Sequence, residues 1–208
     1  MSHHHHDHDH DHEHEHEHDH EHDDDVELTD AEARAEAERL VRKELALSQI
    51  RQYGDPVLRM RAEEVVTFDE ELQHVTERML QLMHDADGVG LAATQVGILR
   101  RFFVCTLDEE DHVLVNPVVT PVGDEAETEP EGCLSLGTLR VPVERSVRVR
   151  VEARDATGAP VALELEGYPA RVVLHELDHL DGTLMLDRTD PESRREALGA
   201  LRPRLVLS

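Results

Sequence analysis

Aromatic residues are nearly missing from this sequence of 208 residues. It contains no Trp, two Tyr and three Phe, so aromatic residues make up 2% of the chain. A chain of this length can still bury a sizeable core. Because large rings are scarce, we expect that core to be built mainly from aliphatic side chains.

Cysteines, basic residues and long apolar runs are scarce as well. Cys105 and Cys133 are too few for a disulfide framework, which favours a reducing compartment such as the cytoplasm. No apolar run approaches the roughly 18 residues of a transmembrane helix, and the charged start of the chain does not resemble a signal peptide. The 21 Lys and Arg face 47 Asp and Glu, a formal charge of −26. Such a chain is not expected to recognise nucleic acid or an anionic membrane, although a local patch could dock on a ribosome.

The chain begins with a run in which His alternates with Asp and Glu. Residues 3–22 hold 12 of the 17 histidines, and residues 1–25 hold 11 acids with no Lys or Arg. This composition cannot bury apolar surface, so we expect a disordered tail over residues 1–25. Imidazole and carboxylate groups are ligands for divalent cations, so the tail could bind extra metal ions. An expression tag is the alternative interpretation.

The hydrophobic pattern divides the rest of the chain into three parts. We expect a helical extension over 26–47, a main domain over 48–190 and a partly helical tail over 191–208. Thr29 and Glu32 predict a capping box at the start of the helix in the extension. Within the main domain a helix is predicted over about 68–86, with Thr67 as its N-cap. Alternating apolar residues then predict strands near 102–104 and 113–120, and a hairpin over 147–165. Helices and strands in this order, with no repeating strand–helix–strand unit, predict an α+β fold.

The stretch His175-Glu-Leu-Asp-His179 carries the strongest chemical signal. Residues four apart on a helix lie on one face, because four residues make about 400° of rotation. His175 and His179 can therefore hold one divalent cation, with Glu176 beside it to handle a proton. An ordinary amphipathic helix with two buried histidines is the alternative, but that interpretation suits a lone histidine better than this five-residue pattern.

A metal site that leaves one position open needs a third protein ligand. The residues alone leave Cys133, any acid and the other histidines as candidates. Cys133 lies in Glu131-Gly-Cys-Leu-Ser135, a short segment with a glycine next to it, whereas Cys105 lies among apolar residues as an inert thiol would. A thiolate with two imidazoles would favour zinc or ferrous iron over hard cations.

A third motif, Gly88-Val-Gly-Leu-Ala-Ala-Thr-Gln95, combines small residues with one amide. Small residues let the backbone approach a ligand closely. The amide of Gln95 could then donate to an oxygen that gains charge during a reaction. A phosphate-binding loop is excluded, since no strand is predicted just before the motif and no Lys follows it.

Taken together, the three motifs closely resemble the signatures of the peptide deformylases, in the same order. Tyr53-Gly-Asp-Pro-Val-Leu-Arg59 and Asn116-Pro117 also resemble the family, and the similarity covers about residues 48–190. The resemblance implies a metallohydrolase that removes the N-formyl group from the initiator methionine of new proteins. It also implies antiparallel sheets packed around the helix that carries His175 and His179.

The resemblance assigns roles to individual residues by matching position. Cys133, His175 and His179 would bind one divalent cation, usually Fe(II) in the family, with Zn, Ni or Co able to replace it. Glu176 would be the general base and acid, while Gln95 and the backbone N–H of Leu134 would stabilise the oxyanion. Gly90 and Glu131 would line the substrate cleft. From the helical wheel we add the prediction that Val172 lines the pocket for the methionine side chain. Asp178, on the other flank of His175, either pairs with a cation such as Arg145 or faces solvent.

The sequence departs from the family pattern at two places beside these motifs. Leu136-Gly137 follows the cysteine motif where the family commonly has an apolar residue and Pro, and Val143-Glu144-Arg145 replaces Val-Pro-Arg. We expect these changes to affect substrate preference rather than the metal chemistry.

Two other functions are weaker alternatives. A zinc endopeptidase shares the two-histidine motif but would take a later His or Glu as ligand, and a metal buffer would depend on the tail alone.

Overall fold

The computed structural model describes residues 29–201, which form five helices and seven strands. The helices are α1 (Asp30–Gln49), α2 (Glu70–Asp85), α3 (Tyr168–Leu180), α4 (Met185–Arg188) and α5 (Pro191–Leu201). The strands are β1 (Gly90–Ala92), β2 (Phe102–Leu107), β3 (Glu110–Pro121), β4 (Ala126–Gly132), β5 (Arg140–Ser146), β6 (Arg148–Arg154) and β7 (Pro160–Glu166). The predicted tail over 1–25 lies outside the described residues.

The strands form two antiparallel sheets, and the predicted α+β fold is confirmed. The larger sheet has five strands in the order β1-β2-β3-β6-β7, and the smaller one pairs β4 with β5. Helix α3 packs on the larger sheet through Val173 and Leu180, which are fully buried against residues such as Phe103 and Val151. The central helix is therefore held by apolar side chains on one face, which leaves its other face for polar groups.

The buried residues form three clusters. The first joins α2 to β1 and β2, the second lies between α3 and the large sheet, and the third joins β5 to α4 and α5. Most members are aliphatic, as the composition predicts, but the two largest fully buried side chains are Phe102 and Phe103. These two neighbours point to opposite faces of β2, so two rings supply both adjoining cores.

Helix α1 begins as the sequence predicts, and α2 does not. Thr29 and Glu32 form a capping box at the start of α1. The predicted N-cap of α2, Thr67, is wrong, because the side chain of Asp69 accepts from the amide of Leu72 instead. Asp and Thr are both good caps, and the one that lies directly before the first helical turn makes the bond.

Asn116 holds an irregular point in β3 just before Pro117. Its backbone is left-handed, with φ at 51°, and the pairing of β3 with β6 shifts register between Val115 and Val118. The side-chain amide of Asn116 donates to the carbonyl of Val65 and accepts from its N–H, both at 2.8 Å. Asn tolerates this backbone conformation, so the irregularity is fixed by two specific hydrogen bonds.

Candidate active site

Helix α3 brings the two motif histidines to one face. The helix follows Gly167, whose φ is 65°, and has Pro169 in its first turn, a position where the missing N–H costs nothing. The rings of His175 and His179 have their centroids 5.0 Å apart at 72°. The spacing of four residues thus gives two neighbouring imidazoles, as the sequence predicts.

Cys133 joins these histidines from the end of β4. It lies between that strand and a short turn over Leu134–Leu136, and its Sγ is 3.2 Å from Nε2 of His179. One ligand atom from each of Cys133, His175 and His179 lies within 4.8 Å of the other two. Of the third-ligand candidates that the residues left open, the structure brings Cys133 to the two imidazoles.

Glu131 lines the cleft, but its carboxylate is turned into the protein. Its Oε2 lies 2.9 Å from Nδ1 of His175, and its oxygens accept from Arg145 at 2.9 and 3.0 Å and from Arg171 at 2.9 Å. Burial alone would raise the pKa of Glu131, but hydrogen bonds from His175 and Arg145 lower it to about 2. Glu131 is therefore ionised at neutral pH and orients the ring of His175.

Arg145 connects Glu131 to a second buried acid on α3. Its Nη1 donates to Oδ2 of Asp178 at 2.6 Å, and Arg188 donates to both oxygens of the same carboxylate. Two buried carboxylates thus share Arg145, with Arg171 and Arg188 as further partners. A buried charge is tolerated when it is paired and fully hydrogen-bonded, so this network fixes the charged face of α3 against β5.

The two histidines differ in their electrostatic surroundings. Burial lowers the pKa of His175, but hydrogen bonds to Cys133 and Glu131 outweigh burial and leave it well above its usual value. Burial and the neighbouring His175 lower the pKa of His179. His179 is therefore a neutral imidazole near pH 7, the form that binds a cation.

Glu176 is buried beside the three donor atoms, and Gly90 makes room for it. Burial raises the pKa of Glu176 to about 7, against the opposing effect of His175. A Cβ at position 90 would lie 2.8 Å from the carboxyl carbon of Glu176, closer than side chains normally pack. A carboxyl group with this pKa can both accept and release a proton near neutral pH.

Gln95 is held in one orientation next to Cys133. Its Oε1 accepts from the amide of Ala92 at 2.8 Å, while its Nε2 donates to Oγ of Ser135 at 3.1 Å and lies 3.7 Å from Sγ of Cys133. The amide therefore presents its N–H group toward the donor cluster. The neighbouring Leu134 is held through its carbonyl, which accepts from Gln52 at 3.1 Å.

An open cleft of about 720 Å³ leads to this group of residues. All three residues predicted to line the substrate cleft, Gly90, Glu131 and Val172, border it, and Val172 is also part of the buried core. The altered loop after the cysteine motif contributes Gly137 and Arg140 to the same wall. The motif residues that the sequence predicts for the site therefore meet at one cleft.

The donor set suits a divalent transition metal. In four-coordinate sites with thiolate and imidazole ligands, neighbouring donor atoms lie roughly 3.5 Å apart, close to the 3.2 Å between Cys133 and His179. Oε2 of Glu176 and Nδ1 of His179 are buried with no hydrogen-bond partner within residues 29–201. Buried polar atoms without partners are rare. A group bound in the cleft would supply a partner for Oε2 of Glu176.

Sequence reasoning missed several members of the site. Of the two alternatives for Asp178, the structure shows the ion pair with Arg145 and not a solvent-facing acid. The sequence does not predict that Arg145 also pairs with Glu131, or that Arg171 and Arg188 join the network. Ser135, which accepts from Gln95, was also not anticipated, although it lies within the cysteine motif. These contacts join residues 10 to 40 positions apart, so sequence spacing carries no signal for them.

Comparison with known proteins identifies similar chains. The family model described as polypeptide deformylase matches residues 47–195. A peptide deformylase of Thermotoga neapolitana is 49% identical over 146 residues, which cover 70% of this chain and 89% of that protein. Peptide deformylase 1 of Corynebacterium efficiens is 45% identical over 163 residues, 76% of this chain and 96% of that protein.

Solved structures agree with the sequence matches. The peptide deformylase crystal structure from Thermotoga maritima aligns with a TM-score of 0.66 at 48% identity, covering 68% of this chain and 97% of that one. The structure from Thermus thermophilus aligns with a TM-score of 0.69 at 45% identity, covering 73% and 91%. Within residues 29–201, no helix combines the length and apolar character needed to span a bilayer.

Proposed function

The chain belongs to the peptide deformylase family, and we propose that it performs the family's reaction with Cys133, His175 and His179 as metal ligands and Glu176 as proton carrier. Peptide deformylases are metal-dependent hydrolases that remove the N-formyl group from the initiator methionine of newly made proteins. The observation that carries the residue assignment is the group of three donor atoms next to a buried carboxyl group with a pKa of about 7.

We propose Fe(II) as the resident cation, with Zn, Ni or Co able to take its place. One thiolate and two imidazoles form a ligand set of intermediate softness, which suits these ions better than Mg²⁺ or Ca²⁺. Bound there, the cation would polarise the formyl carbonyl and lower the pKa of a water molecule. Metal analysis of protein purified without oxygen tests the identity of the ion.

The reaction adds water to the formyl group and breaks its bond to nitrogen. Glu176 accepts a proton from the attacking water, whose oxygen forms a bond to the formyl carbon. When the carbon–nitrogen bond breaks, Glu176 returns that proton to the nitrogen of the methionine, and formate leaves. One carboxyl group serves both steps, which requires a pKa near the working pH.

The developing negative charge lies on the former carbonyl oxygen. We assign its stabilisation to the amide of Gln95 and to the backbone N–H of Leu134. Preorganised donors of this kind contribute about 2.7–4 kcal/mol each where they have been removed in other enzymes. The hydrogen bonds of Gln95 to Ala92 and Ser135 support this role, because they prevent the side-chain amide from rotating by 180°.

The substrate peptide is proposed to extend along β1. This strand is at the edge of the five-stranded sheet, and the carbonyl of Val89 already accepts from Thr106 of β2. Because alternate residues of a strand turn their backbone groups to opposite sides, the N–H and C=O of Gly90 face the open edge. A peptide can pair with such an edge, while Val172 contacts the methionine side chain.

The remaining assignments concern location, partners and organisation. We propose a cytoplasmic enzyme that meets formyl-methionyl chains near the ribosome exit and recognises neither membranes nor specific nucleic-acid sequences. We also propose that residues 48–190 form the catalytic unit, flanked by the extension over 26–47 and the segment over 191–208. The helix α1 runs to Gln49, so it continues across the first of these boundaries.

For the tail over 1–25 we propose weak binding of several divalent ions, because its histidines alternate with carboxylates. Deleting it distinguishes a metal supply from an unrelated tail. Turnover that depends on the tail only when metal is scarce supports a supply role, and turnover that is equal at all metal concentrations contradicts it.

Deformylation of formyl-Met-Ala-Ser by the oxygen-free, metal-loaded protein tests the proposed function. We expect turnover with about one metal ion per chain once residues 1–25 are removed, and loss of turnover in Glu176→Ala. A folded protein that fails to release formate with Fe(II), Ni, Co or Zn contradicts the proposal.

A further inference from the structure

The last two turns of α1 lie at the mouth of the cleft, although the family match begins only at residue 47. Lys43 and Leu47 border the cleft, and Ala46 and Ile50 are buried beneath them. Residues 30–42 are exposed on all sides. The helix is therefore attached through its last two turns, which pack into the core cluster of α2, β1 and β2 and also reach the edge of the cleft.

The polar contact of α1 with the cleft wall is made through Asp87. Lys43 Nζ lies 2.9 Å from Oδ2 of Asp87, and Nη1 of Arg39 lies 2.6 Å from the same oxygen. Hydrogen bonds from Lys43 and Arg39 lower the pKa of Asp87, so the carboxylate is charged at neutral pH. Both cations converge on one atom, which restrains the position of that residue from two directions.

Asp87 begins the wall segment, which we define as Asp87–Gly90. Its backbone is left-handed, with φ at 55°, and the following residues pass very close to the site. A Cβ at Gly88 would lie 2.8 Å from the side chain of Leu134, and Gly90 leaves similarly little room beside Glu176. A small displacement of Asp87 would therefore shift Gly88 and Gly90, which pack closely against Leu134 and Glu176.

We propose that Arg39 and Lys43 are positioning residues, which act through Asp87 to hold the wall segment in the conformation that binds the formyl-methionyl peptide. This inference rests on the proposed function. Exposed ion pairs add little to global stability, so the expected effect is on binding rather than on folding. If the binding conformation becomes one of several, the apparent affinity falls in proportion to its population.

The primary test removes both cations and measures KM and kcat separately. For Arg39→Gln/Lys43→Gln we expect KM for formyl-Met-Ala-Ser to rise about three- to tenfold, equivalent to roughly 0.7–1.4 kcal/mol. We expect kcat to change less than twofold, because neither residue touches the reacting atoms. Arg42→Gln is the matched control, since it removes one charge from the exposed face of the same helix.

A second set of variants asks whether the cations act through Asp87 or on the substrate directly. Asp87→Asn keeps the size of the side chain and tolerates the left-handed backbone. We expect Asp87→Asn to raise KM as much as the double variant does. In the triple variant, which combines Asp87→Asn with Arg39→Gln and Lys43→Gln, we expect KM to be no higher than in either of them. A further rise in KM in the triple variant would mean that the cations contact substrate, which overturns the proposal.

Salt concentration supplies a readout that a purely structural role would not move. Screening of exposed charges should raise KM of the unchanged protein and have little effect on the triple variant. Unchanged KM in all these variants, in a protein that does turn over, refutes the inference alone. Absence of turnover in the unchanged, metal-loaded protein refutes the proposed function instead, so the two failures are distinct.

Discussion

The carboxylate of Glu131 lies 2.9 Å from Nδ1 of His175, and Arg145 and Arg171 donate to the same carboxylate. This contact occupies one ring nitrogen and leaves Nε2 for a cation. Partners of this kind fix the tautomer and the orientation of a metal-binding histidine, and they raise its basicity. Glu131 is ionised at neutral pH, because hydrogen bonds from His175 and Arg145 lower its pKa to about 2.

Replacing Glu131 by Gln should weaken metal binding about 10- to 100-fold, as loss of such a partner does in other metal sites. The amide keeps the size of the side chain and removes the charge that Arg145 and Arg171 share. Competition with a chelator measures the affinity. Glu129→Gln is the control, since Glu129 is exposed on the same strand, and an equal loss in both variants would contradict the assignment.

Glu176→Gln should lower kcat by about 10²- to 10⁴-fold while the metal content stays the same. The amide cannot accept the proton from water, but it fills the same space beside Gly90. Formate release and metal analysis on one preparation measure both quantities. The exposed Glu152→Gln serves as control. Turnover that survives in Glu176→Gln would remove Glu176 from its proposed role.

Gly90→Ala should reduce turnover strongly without unfolding the protein. The added methyl group would lie 2.8 Å from the carboxyl carbon of Glu176, so the carboxylate must leave the position it occupies. Gly199→Ala places the same methyl group in α5, where no atom outside the adjoining helix backbone lies within 4 Å, and it should leave turnover unchanged. Circular dichroism on heating checks the fold, and normal kcat in Gly90→Ala would show that Glu176 need not stay in place.

The two cysteines should differ in their reaction with iodoacetamide. Cys105 is fully buried and burial raises the pKa of its thiol, so it should stay unmodified in the folded protein at pH 8. Cys133 borders the open cleft, and we expect it to be modified after metal removal and protected after metal is restored. Mass spectrometry of the digested protein locates the label. Equal labelling of Cys133 with and without metal would argue against its role as a ligand.

Sequence spacing predicted the features that depend on one segment. The side-by-side placement of His175 and His179 and the capping box of Thr29 both follow from helix geometry, and the structure contains both. The family resemblance supplied the roles of the residues in the three motifs. The strand β4 is not predicted, because Ala-Glu-Thr-Glu-Pro-Glu-Gly has no large apolar residue and contains a Pro. Its pairing with β5 places Pro130 opposite Pro142 and is decided by the partner strand.

Contacts between distant segments could not be predicted in this way. The bonds of Glu131 to Arg145 and Arg171, and of Asp87 to Arg39 and Lys43, depend on how the finished sheets and helices pack. A single sequence shows that charges exist but not which ones meet. These contacts surround residues that the motifs do identify, so the chemistry was predictable and its supporting structure was not.

The donors of the metal site come from two separate segments, because Cys133 follows β4 while both histidines belong to α3. A folding chain that has formed α3 alone holds two of the three donors. The third arrives only when the β4–β5 hairpin docks against that helix, a contact between residues 46 positions apart. Such contacts form late, since the entropy of closing the intervening loop must first be overcome. Tight metal binding during refolding should therefore come after helix formation. The time at which the metal binds then reports when the β4–β5 hairpin docks and the domain is completely assembled.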